Sequence, residues 1–507
     1  MVSVVYSALL HCLEGFVVQV EADISDGMPG MELVGLLGSE VKEARERVRM
    51  ALKNSGFSMP LRRITLNLSP ANIRKNGTGF DLAMAVAILL SMDRIRENAV
   101  ESSVFFGELN LSGAVCPING VLPLVLCAAK AGFMKCYVPL DNAQEAAMID
   151  GMQVYPVSSL TQLFLHLNGE EEIACVRKIQ AEDARVIYTH DLKYVQGQTF
   201  ARRGLEIAAS GMHNILMVGE PGAGKSMLSK CLPSILPPLT NEESLEVSSI
   251  YSVAGKLGES GGLLRERPFV SPHHTVTDVA LTGGGLRPKA GLIALAHKGV
   301  LFLDEMPEFK RSSLEILRQP MEDRKILISR SGGSYEYPAD FMLVGAMNPC
   351  PCGAFPDRTR CRCTDTQIRQ YLDRLSKPLM DRIDISIEVE NLPFSDLRGS
   401  AEQEDSETVR DRVMQVHRIQ FQRFGKAFFN SQMQQAEIEK FCALDAACNA
   451  IMEKAYSSYR LSARGYHRIL KVARTIADMD MADRIREAHL IEALRYRCAD
   501  SRDYLGR

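Results

Sequence analysis

The sequence predicts an α/β multidomain protein in three parts: a mixed α/β N-terminal domain, an α/β core on a parallel sheet, and an all-helical C-terminal region. Three observations predict it. Strand alternation and helical spacing mix within the first 165 residues; a strand, a glycine loop and a helix open a run of further strands and helices from 192 to 395; beyond 404 the apolar spacing is helical throughout. At 507 residues the chain exceeds one ordinary core, and 46% hydrophobic with 24% charged residues suits a soluble globular protein. There is no tandem repeat or low-complexity tract.

In the N-terminal part, "VVQVEADI" (17 to 24) and "RITLNLS" (63 to 69) alternate as strands, and "SEVKEARERVRMALKNSG" (39 to 56) has helical spacing with a glycine stop. The longest apolar run, "FDLAMAVAILLSM" (80 to 92), is interrupted by Asp81 and too short to cross a bilayer. The N-terminus lacks a basic start followed by a small-residue cleavage site, so no secretory signal is expected. The expectation is a cytoplasmic protein without a membrane partner, in a compartment where disulfides are rare. A polar stretch, 168 to 191, reads as a linker, which divides the chain into 1–167, the linker, 192–398 and 399–507. The last part carries apolar residues at i, i+3, i+4 and i+7 in "TVRDRVMQVHRIQFQRF" and "ARGYHRILKVARTIADM".

The core carries the chemistry. "NILMVGEPGAGKSMLSKCL" (214 to 232) sets Gly219, Glu220, Pro221, Gly222, Ala223, Gly224, Lys225 and Ser226 between an apolar strand and a helix. Phosphate oxygens need converging N–H donors and room for the backbone, which glycines allow; Lys225 adds charge at the β- and γ-phosphates and Ser226 can ligate Mg²⁺. "KGVLFLDEMPEF" (298 to 309) ends an apolar strand in Asp304 and Glu305, the first suited to Mg²⁺ and the second to polarising an attacking water. "DFMLVGAMNPC" (340 to 350) ends a third strand at Asn348, a polar tip that can orient that water. Arg382, between a helix end and a strand in "LSKPLMDRIDISIEVE", reads equally as an arginine finger for a neighbour's γ-phosphate or as the partner of Asp381 or Asp384.

Four of the 13 cysteines crowd into "MNPCPCGAFPDRTRCRCT" (347 to 364) as Cys350, Cys352, Cys361 and Cys363. The readings are a structural Zn²⁺ site, a reduced thiol cluster or a pair of disulfides. The C-x-C gap is tighter than the usual two-to-four-residue spacing of zinc ligands. A net charge of -3 excludes a generally basic nucleic-acid coat, so any DNA contact needs local cations.

Together these strings resemble the AAA+ ATPases related to magnesium-chelatase motor subunits, in the ComM/YifB branch. "GQTFARRGLEIAASGMHNILMVGEPGAGKSML", "RPFVSPHHTVTDVALTGGG", "LAHKGVLFLDEMPEF", "FMLVGAMNPCPCG", "SKPLMDRIDISIEV" and "RGYHRILKVARTIADM" carry the likeness. The resemblance implies a P-loop AAA+ core and a C-terminal helical lid, with ATP and Mg²⁺ as cofactors. By position, Lys225 and Ser226 are Walker A residues, Asp304 and Glu305 Walker B, Asn348 sensor one and Arg382 the finger acting across subunits. Arg464 fits sensor two, with Arg468 as the competing candidate, and "YVQGQ" (194 to 198) falls where the family approaches the adenine. Residues 248 to 291 resemble a pore-directed insert of the same clade and hold Lys256, Arg265, Arg267, Arg287 and Lys289; residues 322 to 341 resemble a second hairpin, with Lys325 and Arg330. Both are candidate DNA contacts as units, against the alternative of solvated surface charge. Where the family's "PGEISLAH" has an acid, this chain has Leu292, which removes any role for an acid there.

Residues 61 to 89 and 105 to 133 resemble the Lon-protease fold. The nucleophile and base of such a peptidase are missing: Gly79 stands near the serine position and Leu124 in the lysine region, while Thr78 lacks a nearby base. The N-terminal domain is thus expected to be an inactive Lon-like domain serving assembly or DNA handling. The resemblance implies a homo-oligomeric, hexameric ring that hydrolyses ATP on single-stranded or branched DNA, migrating branches in recombination during natural transformation, with recombination proteins as further partners. The alternatives are a chelatase-type motor remodelling a protein partner and an ATP-binding regulator.

Overall fold

The structure is a computed structural model that describes residues 2–176, 188–257, 262–285, 289–330, 333–391, 403–459 and 461–497. It divides into two compact units, Met1–Ala184 with Asn241–Leu264, and Arg185–Thr240 with Arg265–Arg507. Of the segment read as a linker, Val176 turns back to donate its N–H to Val154 O at 2.8 Å within the first unit. At the other end Asp191 accepts from the Ser406 N–H at 3.0 Å within the second.

The first unit is built on a mixed seven-stranded sheet. Its strands are β1 (Ser3–His11), β2 (Glu14–Ser25), β3 (Gly30–Val34), β4 (Arg63–Ser69), β5 (Ser103–Phe105), β8 (Lys135–Pro139) and β9 (Gln153–Val157), with a short hairpin of β6 (Glu108–Leu109) and β7 (Val115–Cys116) beside it. The order is β3-β4-β2-β1-β5-β8-β9. β1, β2 and β4 pair antiparallel, and the remaining neighbours run parallel. The helix Ser39–Asn54 buries Val41, Ala44, Val48, Ala51 and Leu52, the stripe its spacing predicts. The apolar run becomes the helix Asp81–Ser91, buried from Asp81 to Leu90. Its interrupting acid is a buried ion-pair partner: the Asp81 carboxylate lies 2.9 Å from Arg47 Nε and accepts the Leu109 N–H at 3.3 Å.

The insert expected at 248 to 291 is divided between the two units. Its first portion extends the helix Asn241–Val253, which belongs to the first unit and packs on the helix Val121–Lys130. There the Gly120 N–H donates to Ser252 O at 3.1 Å, and Ser252 Oγ donates to the buried Glu145. From Arg265 onward the chain belongs to the second unit.

The second unit holds a five-stranded parallel sheet of β10 (Ile215–Gly219), β11 (Phe269–Val270), β14 (Val300–Leu303), β17 (Met342–Met347) and β18 (Ile385–Val389), with two hairpins, β12 (Gly283–Gly284) with β13 (Lys289–Ala290) and β15 (Lys325–Arg330) with β16 (Gly333–Pro338). The sheet order is β11-β14-β17-β10-β18. Every residue of β10, β14 and β17 is buried, as expected when helices cover both faces of a parallel sheet. One hydrophobic core runs from Ile215, Val344 and Ile387 in the sheet to Val413, Leu470 and Ile476 in the C-terminal helices. The helix Ser406–Phe424 is capped by Asp405, which accepts the Thr408 N–H at 2.9 Å, and stops at Gly425 in the left-handed region. Among the described residues no helix is long and apolar enough to cross a membrane.

Candidate active site

β17 lies between β10 and β14, so the three expected pieces end side by side at the C-terminal edge of one sheet. Gly222 and Gly224 take positive φ, +84° and +93°, and a Cβ built at either meets nothing within 4 Å, so the loop leaves an open cradle. Lys225, 8% exposed, donates from Nζ to Gly219 O at 2.7 Å, to Glu220 O at 2.8 Å and to Asn348 Oδ1 at 3.2 Å. Burial holds its ammonium below the usual lysine range, with Asp304 and Glu305 opposing that shift. Ser226 Oγ donates to Asp304 Oδ2 at 2.7 Å, which brings together the two oxygen ligands expected for Mg²⁺. The hard oxygen donors and the cradle of N–H groups fit a magnesium nucleotide. Glu305 sits in the left-handed region at φ +50°, its N–H on Asp304 Oδ1 at 3.0 Å, and its exposed carboxylate lies 3.8 Å from His274 Nδ1. His274 escaped the sequence reading, because nothing in "SPHHT" ties it to an acid 31 positions on.

Arg382 stands elsewhere in this unit, on a cavity of about 820 Å³ whose lining includes Glu322, Asp381, Arg464, Arg468 and Lys471. The side-chain pairing expected with Asp381 or Asp384 is corrected. Arg382 pairs with Glu322 and donates to Pro378 O at 2.6 Å. The nearby acids are already engaged, Asp381 by Arg468 at 3.2 Å and Asp384 by His213 at 3.1 Å. The cavity also separates the two lid candidates. Arg468 donates to Met380 O at 2.9 Å and Ile383 O at 2.6 Å, clamping the backbone on both sides of Arg382, whereas Arg464 is exposed.

The four cysteines converge: their Sγ atoms all lie within 4.8 Å of one another, and each is free of a disulfide. This loop also touches the phosphate loop, a contact absent from the sequence reading. Arg360 Nη1 and Nη2 donate to Glu220 Oε1 and Oε2 at 2.9 and 3.0 Å, and Asn391 Nδ2 donates to Glu220 Oε2 at 2.6 Å. Only the fold brings residues 140 and 171 positions apart onto one carboxylate.

The expected DNA-contacting cations do not share one environment. Lys256, Arg265 and Lys289 are exposed, Lys256 in the first unit and the others in the second. Arg267 is corrected: it is 8% exposed, and its guanidinium donates to Pro237 O and Lys298 O, each at 2.7 Å. Those bonds commit it to the interior. Lys325 pairs with Glu336 across the hairpin at 3.0 Å. Arg287 and the Arg330 side chain lie outside the described residues. In the first unit Leu124 is buried, and the expectation that Thr78 lacks a nearby base is corrected: its hydroxyl donates to the carboxylate of Glu108, 30 positions on.

Comparison with known proteins matches three family descriptions: "Magnesium chelatase, subunit ChlI" over residues 191–397, "Subunit ChlI of Mg-chelatase" over 20–142, and "Magnesium chelatase, subunit ChlI C-terminal" over 403–497. The chain is 42% identical over 500 residues to the competence protein ComM of Haemophilus influenzae, covering 98% of this chain and 97% of the relative. It is 41% identical over 484 residues to the uncharacterised protein YifB of Salmonella typhimurium, covering 95% and 94%. A partial likeness links it to the Lon protease of Mycolicibacterium smegmatis, 31% identical over 163 residues, or 30% of this chain and 20% of that one. A near-full-length match of this strength, over a parallel sheet that presents Lys225, Asp304 and Asn348 on adjoining strand ends, places the chain in the ComM/YifB family of magnesium-chelatase-like AAA+ proteins.

Proposed function

We propose that the protein is an ATP-hydrolysing ring motor that moves along branched or single-stranded DNA in the cytoplasm, assembled as a hexamer and migrating branches during recombination. Membership of a magnesium-chelatase-like AAA+ family implies ATPase chemistry with ATP and Mg²⁺. The observation that carries the reading is the meeting of Lys225 Nζ with Asn348 Oδ1 at 3.2 Å, beside the Ser226 and Asp304 pair. DNA as the track is supported by the name of the competence relative and by the exposed Lys256, Arg265 and Lys289.

In this reading Lys225 and the loop N–H groups hold the β- and γ-phosphates, and Ser226 with Asp304 holds the metal. The Mg²⁺ charge offsets negative charge developing on the phosphate oxygens. Glu305 takes a proton from the attacking water, and Asn348 orients that water once Lys225 turns to phosphate. Arg382 and Arg464, which line the same cavity, serve a neighbouring subunit's nucleotide, with Arg468 holding the backbone on both sides of Arg382. The Lon-like unit, with Leu124 in the lysine region, serves assembly or DNA handling and not peptide cleavage.

The test is ATP hydrolysis with and without Holliday-junction DNA, together with strand exchange. Glu305→Gln is expected to slow hydrolysis by about 10²–10⁴-fold while nucleotide still binds. Hydrolysis that DNA does not stimulate, with no branch migration, would sink the DNA reading and leave a motor that remodels a protein partner.

A further inference from the structure

We propose that Cys350, Cys352, Cys361 and Cys363 form a tetrathiolate zinc site that clamps its loop onto the phosphate loop, so that zinc occupancy sets nucleotide affinity. The sulfur geometry supports the metal. A tetrahedral zinc with Zn–S of about 2.3 Å has S···S edges of about 3.8 Å, whereas a disulfide requires about 2.0 Å. The separations are 3.4 Å for Cys350 to Cys352, 3.6 Å for Cys352 to Cys361 and 3.8 Å for Cys350 to Cys361, with Cys363 inside the same 4.8 Å limit. The separations match the edges of a coordination tetrahedron with the sulfurs at its corners, and none is short enough for a disulfide. Cys350 and Cys361 are buried, and the Phe355 N–H points at Cys350 Sγ at 3.4 Å, the kind of outer bond that orients a thiolate ligand. Zinc with four thiolates carries two net negative charges, and the ligands alternate in sequence with Arg360 and Arg362, although Arg358 and Arg360 direct their guanidiniums to Asp365 and Glu220.

The clamp is visible in two contacts. A Cβ at Gly353, between the two C-x-C pairs, would stand 2.4 Å from Pro221 Cδ, so the loop backbone lies directly on the phosphate loop. Arg360, next to the ligand Cys361, holds Glu220 with both terminal nitrogens, the fork geometry that fixes direction as well as distance. Glu220 and Pro221 precede the cradle glycines, and the same loop starts at Asn348. Pinning the sulfurs thus pins both the entry to the cradle and the tip of β17. Without metal the loop loses its one covalent brace, and Arg360 is left to hold Glu220 from a mobile support.

The coupling rests on the nucleotide reading, while the metal site does not, and the experiment separates them. Full-length protein purified without added metal is analysed for zinc and iron, and binding of a fluorescent ATP analogue is titrated on the wild type and on three variants. One zinc per chain is expected, absent from the Cys352→Ser/Cys363→Ser double variant, whose nucleotide affinity should fall about tenfold, the scale of one lost charged hydrogen-bonded contact. Arg360→Ala should keep its zinc and lose affinity severalfold. A wild-type chain with iron or no metal overturns the site. Unchanged affinity in the zinc-free variant overturns the coupling, and if that variant fails to fold, unchanged affinity in zinc-loaded Arg360→Ala overturns it instead. Lys225→Ala that binds nucleotide as the wild type does would overturn the nucleotide reading and the coupling with it, leaving the zinc count to decide the site.

Discussion

The phosphate-loop edge and the Arg382 cavity belong to one unit yet hold their charges in opposite ways. At the strand ends the polar groups satisfy one another over short, direct bonds: Lys225 on two carbonyls and Asn348, Ser226 on Asp304. Along the cavity, side chains from distant segments converge, and most are committed to holding backbone: Arg468 on Met380 O and Ile383 O, Lys471 on Ser431 O at 2.9 Å, with Asn214 donating to Arg382 O at 2.9 Å. In the proposed function, the first arrangement is the nucleotide site of a single chain. The second is a support around Arg382, whose guanidinium is paired with Glu322, with Arg464 exposed beside it.

Substitutions test that division. The largest effect is expected at the strand ends, where Lys225→Ala removes the charge facing the phosphates and should weaken ATP binding by about 100-fold in a direct titration, since hydrogen bonds to charged groups contribute about 1.5–3 kcal/mol. A variant that binds ATP normally would break the comparison at its first half. At the cavity, Arg468→Ala strips Ile383 O of its side-chain donor and Asp381 of its cation, while Met380 O keeps the Ile383 N–H at 3.2 Å, and should destabilise the second unit by about 2–3 kcal/mol, read as a lower Tm. Arg464→Ala should leave Tm unchanged and lower ATP turnover only in the assembled protein. The reverse pattern would mean that Arg464 is the support and Arg468 the free cation.

A smaller effect is expected in the helix Ser406–Phe424, where the buried His417 ring donates to Ala209 O at 3.0 Å and burial holds it down to about 4. The folded form keeps this ring neutral, while the unfolded chain protonates it below about 6.5. Its contribution is therefore complete above that pH and falls as pH drops toward the folded value. Between about pH 7.5 and pH 5 the loss should reach about 2 kcal/mol. Thermal melts of His417→Gln across that range should show a flatter pH dependence than the wild type; parallel curves would remove His417 from the account.

Much of the strand-end cluster was legible in the sequence, because its glycine loop is contiguous and its polar residues end strands whose apolar runs announce them. The helix Ser39–Asn54 was legible for the same reason, a local period of 3.6 residues. Counting cations along a segment was a poorer guide: Arg267 contributes charge to the proposed insert but spends it on two interior carbonyls. Asp81 reads as a flaw in an apolar helix until Arg47, from another helix, is set against it.

The sequence by itself determined the strands Glu14–Ser25 and Arg63–Ser69, the strands of the second sheet that precede the glycine loop, the two acids and Asn348, and the crowding of four cysteines. Each is decided by neighbours a few positions apart, where backbone geometry and local burial leave little choice. Tertiary structure alone decided that residues 241 to 264 pack in the first unit, that Arg382 pairs with Glu322, that Arg468 clamps while Arg464 stays exposed, and that Arg360 closes on Glu220. A long charged side chain takes whichever partner the folded chain carries within about 3 Å, and that partner is set by how the helices pack.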